Sequence, residues 1–396
     1  MEEWKEYKIG DICRIKHGFA FKGIHFVDEP QKYVCVTPGN FALKGGFKND
    51  KPKYYNGPIP EDYVLQKDDL VVTMTDLSKN GDTLGYSALI PYDEHYTFLH
   101  NQRIGLIEDI SNEIDKHFLY WVMRTYDYQR YIVGHCSGST VKHTSPSGIG
   151  SYIFRSPNMK MQKEISSVLD NLDDKIEVNR KIIENLEQQA QALFKSWFVD
   201  FEPFKNGEFV ESELEMIPKG WRVYSLSDFL PVITGKKDAN VAKGGSYPFF
   251  SCSQDILWTD NYSFSGSAIL VAGNGDFNVK MYNGQFEAYQ RTYVLMPFNP
   301  SYTAWLYYAV KYNLNKITSA ARGSVIKFIT KGNLSDFKFA APYELKNFEI
   351  IKAFDTIRMK ISANVELSRR LAELRDTLLP KLMSGELKVN EIENYL

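Results

Sequence analysis

Few residues of this chain have the type and spacing that catalysis requires. Gly273-Asn274-Gly275 is not followed by the Gly-Lys-Ser/Thr sequence of a phosphate-binding loop. His135 and His143 flank Cys136, but this spacing matches no zinc pattern, and solvated loop histidines are the simpler interpretation. We find no convincing cluster of carboxylates and lysine of the nuclease type. These patterns favour a chain without catalytic residues and without a metal site.

One tetrapeptide is similar to a known catalytic motif. Asn299-Pro300-Ser301-Tyr302 is similar to the Asn-Pro-Pro-Tyr motif of adenine methyltransferases, but the second proline is missing. No Gly-rich cofactor motif precedes it on a strand. We therefore expect Pro300 to start a turn before a helix over 302–317.

Composition predicts packed globular domains rather than a disordered or membrane-embedded chain. The four cysteines are dispersed, which favours reduced thiols and a cytoplasmic location. The start Met1-Glu2-Glu3-Trp4-Lys5 has no apolar signal-peptide core. The net charge of −2 argues mildly against a nucleic-acid partner. However, residues 216–342 hold 13 Lys and Arg against 7 Asp and Glu, so one stretch is basic.

The chain contains an internal repeat. The pattern Trp4-x-x-Tyr7-x-Ile9-x-Asp11 recurs as Trp221-x-x-Tyr224-x-Leu226-x-Asp228, and Gly18 and Gly235 follow at matching places. Further matched pairs are Gln102-Arg103 with Gln290-Arg291, Gly138-Ser139-Thr140-Val141-Lys142 with Gly323-Ser324-Val325-Ile326-Lys327, Pro157 with Pro342, and Asp170 with Asp355. The period is far longer than that of solenoid repeats, so the pattern indicates a duplicated domain.

Each copy begins with short β-type runs that turn signals divide. Examples are the run Leu70-Val71-Val72-Thr73-Met74 and the turn Asn80-Gly81-Asp82. These features predict an irregular α/β domain with one or two helices, for which 116–133 is a candidate in the first copy and 302–317 is its counterpart in the second.

Each copy ends in a segment with helical periodicity. No Pro or Gly interrupts 160–199 or 343–379, and the apolar residues follow a heptad stripe. A helix of this length spans roughly 50 Å. Two such helices in one chain are expected to pair antiparallel. Asn179 and Asn364 occupy equivalent seam positions, where each either fixes the register or lies at a solvated edge.

The order and duplication of these motifs resemble the specificity (S) subunit of type I restriction–modification enzymes. The resemblance rests on Gly138-Ser139-Thr140, on Pro157 before Gln162-Lys163-Glu164-Ile165, on Ile217-Pro218-x-Gly220-Trp221 and on the helix ends. Those ends are Leu193-Phe194-Lys195-Ser196-Trp197-Phe198 and Leu378-Leu379-Pro380-Lys381-Leu382-Met383-Ser384-Gly385-Glu386-Leu387. The second copy departs from the pattern with Gly-Ser-Val and with Tyr343-Glu344-Leu345-Lys346-Asn347 at the helix start.

The resemblance implies an α+β fold with two α/β target recognition domains, separated by two long antiparallel coiled-coil-like helices in a pseudo-two-fold repeat. The expected segments are a first recognition domain at 1–157, a central spacer helix at 158–200, a linker at 201–215, a second recognition domain at 216–342, a distal spacer helix at 343–385 and a tail at 386–396.

The resemblance also implies partners. Each recognition domain would bind one half of a bipartite site in double-stranded DNA, and the helices would dock two methyltransferase subunits. Those subunits would bring S-adenosylmethionine, and motor–nuclease subunits would bring ATP hydrolysis with magnesium. The chain itself would be a non-catalytic component of phage defence.

Candidate DNA contacts are basic or amide residues in Gly-rich turns. Arg suits guanine and Asn suits adenine in the major groove, whereas Lys mostly anchors phosphate. The candidates are Lys16, Lys22, Lys79, Asn80, Arg103, Lys142 and His143 in the first copy, and Lys236, Lys237, Asn274, Lys280, Arg291, Arg322 and Lys327 in the second. Lys142 and Lys327 are the preferred candidates for DNA contacts because the repeat keeps both beside Gly-Ser. The alternative interpretation of any one of these residues is a solvated surface charge. For Arg103 and Arg291 a further alternative is a structural role.

Two other functions remain open from sequence. A two-headed protein of the same fold could bind a non-DNA partner, and the salt dependence of binding separates this from phosphate-driven association. A standalone methyltransferase would require a cofactor pocket, which the sequence does not indicate.

The spacer helices generate a first prediction. Four residues inserted after Lys181 would lengthen a continuous helix by about 6 Å and rotate its end by about 40°. We expect weaker but measurable DNA binding, with the non-specific gap of the methylated motif widened by roughly one or two base pairs. One or two inserted residues would rotate the domain by about 100° or 200° and should abolish binding. A functional variant with the original gap in methylome sequencing would contradict this role of the helices.

Overall fold

The computed structural model describes residues 4–78, 80–319, 321, 327–345 and 349–395. The chain divides into two compact units. Unit 1 comprises residues 1–177 and 368–396, and unit 2 comprises residues 178–367. This division cuts both long helices, so the predicted boundaries between recognition domains and spacer helices stay a prediction.

Unit 1 combines short strands with small helices. Its strands are β1 (Lys5–Lys8), β2 (Arg14–His17), β3 (Phe26–Val27), β4 (Tyr33–Val36), β5 (Tyr54–Tyr55), β6 (Leu70–Thr73), β7 (Thr75–Asp76), β8 (Ser87–Leu89), β9 (Thr97–His100), β10 (Ile104–Glu108), β11 (Lys142–His143) and β12 (Ile153–Ser156). Its short helices are α1 (Ile9–Ile12), α2 (Lys116–Val122), α3 (Tyr126–Gly134) and α4 (Pro146–Gly150). Two four-stranded sheets have the orders β2-β10-β6-β8 and β3-β5-β4-β9, and β1 pairs with β12 and β7 with β11.

Strand β6 shows how the apolar run of the sequence builds this core. Leu70 and Val72 face one side and pack in a cluster with Trp121 of α2, whereas Val71 faces the other side and packs near Val34. Alternate residues of a strand point to opposite faces, so a strand buried on both faces needs a continuous apolar run.

Unit 2 contains one larger sheet. Its strands are β13 (Phe209–Ser212), β14 (Glu215–Pro218), β15 (Trp221–Ser225), β16 (Val232–Thr234), β17 (Tyr247–Phe250), β18 (Ile256–Thr259), β19 (Phe264–Ala272), β20 (Val279–Ala288), β21 (Thr292–Leu295) and β22 (Lys338–Pro342). The six-stranded sheet has the order β16-β21-β19-β20-β17-β18, and β15 pairs with β22 as β1 does with β12.

The helices predicted from the heptad stripes are present, and they enter both units. The first is α5 (Met159–Phe198). In unit 2 the small helices α6 (Thr303–Tyr312), α7 (Leu314–Thr318) and α8 (Lys331–Ser335) precede the second long helix, α9 (Glu349–Ser384). In unit 1 the start of α5 shares a core with the end of α9, through Leu169 and Leu382. In unit 2 the end of α5 shares a core with the start of α9, through Phe194 and Phe354. The two helices therefore run antiparallel within each unit, and the predicted fold class is confirmed.

Each of the two candidate helical segments holds two helices. The segment 116–133 forms two helices because the Thr125 hydroxyl accepts a hydrogen bond from the Tyr128 N–H and caps a new helix. The segment 302–317 is interrupted at Asn313, whose amide donates to the Ala309 carbonyl and ends the first helix. Both breaks use side chains that compete with the helical backbone bonds.

The seam asparagines differ from each other. Asn179 is buried, and its amide nitrogen has no hydrogen-bond partner among the residues that the structure describes. Asn364 is half-buried, and its amide donates to the carbonyl of Lys360 one turn earlier. Burial favours the register interpretation for Asn179, whereas the half-buried Asn364 leaves both interpretations as predictions.

A charged cluster attaches the small helices of unit 1 to the long ones. The Arg124 guanidinium, with a side chain only 2% exposed, pairs with Asp173 of α5. Arg375 of α9 contacts the other oxygen of Asp173 at 2.6 Å and pairs with Asp376, which also binds Lys44 at 2.6 Å. A buried charge stays paired because an unpaired one is costly, so this cluster constrains the helix positions within unit 1.

A second polar contact joins α2 to α5. His117 Nδ1 donates to Asp170 Oδ2 at 2.8 Å, and Trp121 Nε1 donates to Oδ1 at 2.7 Å. The hydrogen bond to Asp170 raises the pKa of His117, although partial burial acts in the opposite direction. The stabilisation is therefore fully present below the unfolded pKa of about 6.5 and is lost as the pH rises through the higher folded pKa.

We predict a pH-dependent effect of His117→Gln on stability. The variant should lower the free energy of unfolding more at about pH 5.5 than at about pH 9, because only protonated His117 forms the ion pair. Urea unfolding at the two pH values measures the difference. The exposed His95 serves as control, since His95→Gln should change the free energy of unfolding by the same small amount at both pH values. Equal losses for His117→Gln at both pH values would contradict the prediction.

Candidate nucleic-acid interface

In unit 1, three chain segments meet where β6 ends. The Arg103 carbonyl accepts a hydrogen bond from the Met74 N–H at 2.9 Å, and the Met74 carbonyl accepts one from Thr144 at 3.0 Å. One step further, β7 pairs with β11, so that Lys142 lies opposite Asp76 and His143 opposite Thr75. We call these segments, residues 74–83, 101–103 and 137–144, the unit 1 edge.

The Gly-Ser-Thr motif forms the turn of a hairpin on this edge. Ser137 and His143 exchange backbone hydrogen bonds of 2.9 and 2.8 Å, and Gly138, Ser139 and Thr140 between them are exposed. Gly138 has a φ of 90°, and a Cβ there would lie 2.0 Å from the Val141 carbonyl oxygen. Only glycine adopts this turn without strain, which explains the first residue of the motif.

The turn Asn80-Gly81 belongs to the same edge. Asn80 is exposed, and a Cβ on Gly81 would lie 3.0 Å from Cδ of Lys142, so the loop and the lysine stem are in contact. The structure therefore brings together Asn80, Arg103, Lys142 and His143 of the predicted contacts. Lys79 lies outside the described residues.

Unit 2 repeats the same backbone arrangement. The Arg291 carbonyl accepts from the Gly273 N–H at 2.9 Å, and the Gly273 carbonyl accepts from Ile329 at 3.0 Å. Asn274 pairs with Phe328, and the Gly275 N–H donates to the Lys327 carbonyl at 3.1 Å. Segments 273–278, 289–291 and 327–329 form the unit 2 edge. Arg291, Asn274 and Lys327 meet on it, whereas Arg322 and the Gly-Ser-Val motif lie outside the described residues.

Lys236 and Lys237 also reach the unit 2 edge. The N–H groups of both residues donate to the Ala288 carbonyl, and the Gln290 N–H donates to the Lys237 carbonyl at 2.9 Å. Both side chains are exposed, and the Lys236 ammonium lies 5.1 Å from the centre of the Phe264 ring. These two lysines therefore stand beside the turn that carries Arg291.

Two predicted contacts have their ammonium groups bound within the protein. Lys16 donates to the Asp62 carbonyl at 2.8 Å and lies 3.8 Å from a carboxylate oxygen of Glu108. Lys280 donates to the Ser253 carbonyl at 2.5 Å and to Asn278 at 2.6 Å, and burial lowers its pKa. Lys22 is exposed before a 3-10 turn, where its carbonyl accepts from His25 at 3.2 Å.

The repeated glycines explain how each edge is held. A Cβ on Gly18 would lie 2.1 Å from the Asn101 carbonyl oxygen, and one on Gly235 would lie 2.0 Å from that of Tyr289. Real Cβ atoms do not approach so closely, so both glycines are needed for close backbone contact. In each unit this contact lies directly before the Gln-Arg pair.

Two positioning residues were missed by the sequence analysis. The buried Asp76 carboxylate accepts hydrogen bonds from Ser78 and Thr83. Burial alone would raise the pKa of Asp76, but these hydrogen bonds outweigh it and hold the pKa below its ordinary value. Asn278, also buried, bridges two loops of unit 2. Asp76-Leu77-Ser78 carries the weak sequence signal of an Asx turn. Asn278 has no such signal for its bond to Cys252, which is distant in sequence.

The residues tested for catalysis have structural partners. Asn299 accepts hydrogen bonds from the N–H and hydroxyl of Ser301, so the predicted turn before the helix is confirmed. Within the described ranges, no group of three or more His, Cys, Asp or Glu side chains is arranged to hold a metal ion. None of the helices described reaches the length and apolarity that crossing a membrane demands.

The family profile and the similar proteins all belong to one family. The family profile described as "Type I restriction modification DNA specificity domain" matches residues 1–188 and 218–367. The chain is 36% identical over 176 residues to the EcoDI specificity subunit of Escherichia coli, an alignment that covers 43% of this chain but only 39% of that protein. It is 26% identical to the HindI specificity subunit of Haemophilus influenzae, over 98% of this chain and all of that protein.

A solved structure shares the fold. The S subunit of a type I restriction–modification system from M. genitalium superposes with a TM-score of 0.59 at 16% identity, covering 96% of each chain. At this identity the likeness supports the architecture of the chain and not its individual contacts.

The close glycine contacts give a prediction for each unit. Gly18→Ala and Gly235→Ala should each lower the free energy of unfolding by about 1–3 kcal/mol, because the backbone must shift to admit the Cβ. Gly23→Ala and Gly332→Ala are matched controls, since a Cβ at Gly23 meets open space and one at Gly332 comes no closer than 3.5 Å to a neighbour. Chemical denaturation measures all four variants. Losses at Gly18 or Gly235 no larger than in the controls would refute the steric argument.

Proposed function

Because the chain belongs to the family of type I restriction modification DNA specificity domains, we propose that it selects the DNA sequence on which a methyltransferase and endonuclease complex acts. Each edge binds one half of a bipartite site in double-stranded DNA. The chain contributes recognition, and the chemistry belongs to other subunits. Its relatives are named specificity subunits, and nothing in the comparisons supports a non-DNA partner.

The observation that carries this proposal is the duplicated edge. In both units an arginine carbonyl binds the adjoining strand end, and the arginine itself is exposed. Lys142, which is half-buried, stands on the unit 1 edge, and the exposed Lys236, Lys237 and Lys327 stand on the unit 2 edge. Arginine and asparagine recognise guanine and adenine in the major groove, and lysine neutralises phosphates. Two edges of the same construction match a target with two half-sites.

The long helices are the proposed docking surface for two methyltransferase subunits. On α5, Val178 and Ile182 are exposed, and on α9, Met359, Val365 and Leu367 are exposed. Apolar side chains grouped on otherwise polar helices are typical of protein interfaces. The methyltransferase subunits supply S-adenosylmethionine, and motor–nuclease subunits supply ATP hydrolysis with magnesium. The proposed compartment is the cytoplasm.

A domain exchange tests the proposal. The chain is co-expressed with its methyltransferase subunits, and modified bases are mapped over a genome by methylome sequencing. Replacing residues 1–157 with the equivalent domain of another specificity subunit should change one half of the methylated motif and leave the other half intact. Expression of the chain without methyltransferase subunits is the control and should give no methylation. A change in both halves, or methylation by the chain alone, would refute the proposal.

A further inference from the structure

The loop after β7 is held by one buried carboxylate. Asp76, 4% exposed, accepts hydrogen bonds from the Ser78 N–H at 2.5 Å, the Thr83 N–H at 2.5 Å and the Thr83 hydroxyl at 2.8 Å. Both ends of the loop are thereby fixed to a single side chain. Gln129 of α3 adds a further restraint by donating to the Gly81 carbonyl at 2.8 Å.

The residues that this loop displays point away from the core. Leu77 is 67% exposed, and Asn80 and Asp82 are exposed. Gly81 contacts the stem of Lys142, and Lys142 lies opposite Asp76 in the β7–β11 pair. The loop is therefore rigidly anchored on one side and presents an apolar side chain and an amide on the other. A loop that is already anchored loses less conformational entropy when it binds a ligand.

Unit 2 holds its edge with different chemistry. Asn278, 7% exposed, donates to the carbonyls of Cys252 and Asp276 at 2.8 and 2.9 Å. Its oxygen accepts from Lys280, which also donates to the Ser253 carbonyl at 2.5 Å. This network joins the loop 251–255 to the segment 273–278, beside the carbonyl of Arg291 that accepts from Cys252 Sγ.

The hydrogen-bond networks of Asp76 and Asn278 do not occupy equivalent positions in the repeat. In unit 1 the backbone of Asp76 pairs with that of Lys142, and at the equivalent place in unit 2 the backbone of Gly275 pairs with that of Lys327. The position equivalent to Asp76 therefore carries no carboxylate in the second copy. Each network lies within one unit and supports the edge of that unit. A defect in one network should therefore alter one half of the DNA target.

We propose that Asp76 and Asn278 are positioning residues for DNA sequence selection, each of which shapes the loops that bind one half-site. Neither residue touches the DNA in this proposal, because both are buried beneath the loops they hold. The inference rests on the proposed function and adds to it the groups that determine specificity in each half.

Asp76→Asn in the complex with methyltransferase subunits tests the inference for unit 1. One oxygen remains to accept, but the amide nitrogen must face an N–H group of Ser78 or Thr83, so one end of the loop loses its anchor while the size of the side chain is unchanged. We expect the preference for the cognate bases of one half-site to fall by about tenfold, with degenerate bases in that half of the methylated motif. The other half should stay unchanged, and so should the salt dependence of DNA binding, because no phosphate contact is removed.

The control for Asp76→Asn is Asp28→Asn. It removes the same charge at an exposed position of unit 1 that lies outside the unit 1 edge, and it should leave the motif intact. Thr83→Val serves as a milder second variant if Asp76→Asn prevents folding. It deletes only the hydroxyl bond to Asp76 and should relax the same half-site to a smaller degree.

Asn278→Asp supplies the reciprocal test in unit 2. Its new carboxylate oxygen faces the carbonyls of Cys252 and Asp276, so only the other half of the motif should relax. Asn283→Asp, at an exposed site further along β20, is the control for added charge.

Thermal melting of each complex shows which variants are folded. Folded Asp76→Asn and Asn278→Asp complexes that retain the wild-type motif would overturn the inference, as would relaxation of both halves by one substitution. Equal relaxation by Asp28→Asn would overturn it for Asp76. A wild-type complex that methylates no bipartite motif would refute the proposed function and, with it, this inference.

Discussion

A backbone hydrogen bond from a strand end to an arginine carbonyl is the constraint on which both edges depend. Met74 donates to Arg103 in unit 1, and Gly273 donates to Arg291 in unit 2. Since these bonds use only main-chain groups, they fix where the segments meet and leave the side chains free to differ. The close contacts of Gly18 and Gly235 add a second restraint of the same kind. A scaffold made of backbone contacts can thus carry binding residues of almost any type.

The sequence predicted those parts of the molecule that depend on local pattern. Heptad spacing located both long helices, and the repeat located Lys142 and Lys327 on equivalent segments. The helix breaks at Thr125 and Asn313 were missed because the apolar periodicity continues through them. Lys16 and Lys280 were selected for their turn-rich surroundings, but their partners Asp62 and Ser253 lie far away in the chain. Such long-range pairs have no signature in a single sequence.

The two units also attach their small helices to the long helices by different means. In unit 1, Arg124 pairs with Asp173 of α5, and Asp173 pairs with Arg375 of α9. In unit 2, Lys311 of α6 binds Glu187 of α5 and the Tyr307 hydroxyl, each at 2.9 Å. Directional polar contacts of this type define the orientation of packed helices more strictly than apolar packing does. In each unit the small helices are therefore oriented on the long helices by a charged contact of that unit.

The contrast between Asp76 and Gly275 has a consequence for how such a chain evolves. After a duplication, both copies start with one set of loop supports, and here the supports have diverged while the main-chain frame has not. A mutation that replaces a loop support in one copy leaves the fold and the other copy's binding surface intact. New target sequences can then arise one half at a time, so the duplicated architecture multiplies the combinations available to a lineage without requiring coordinated mutations.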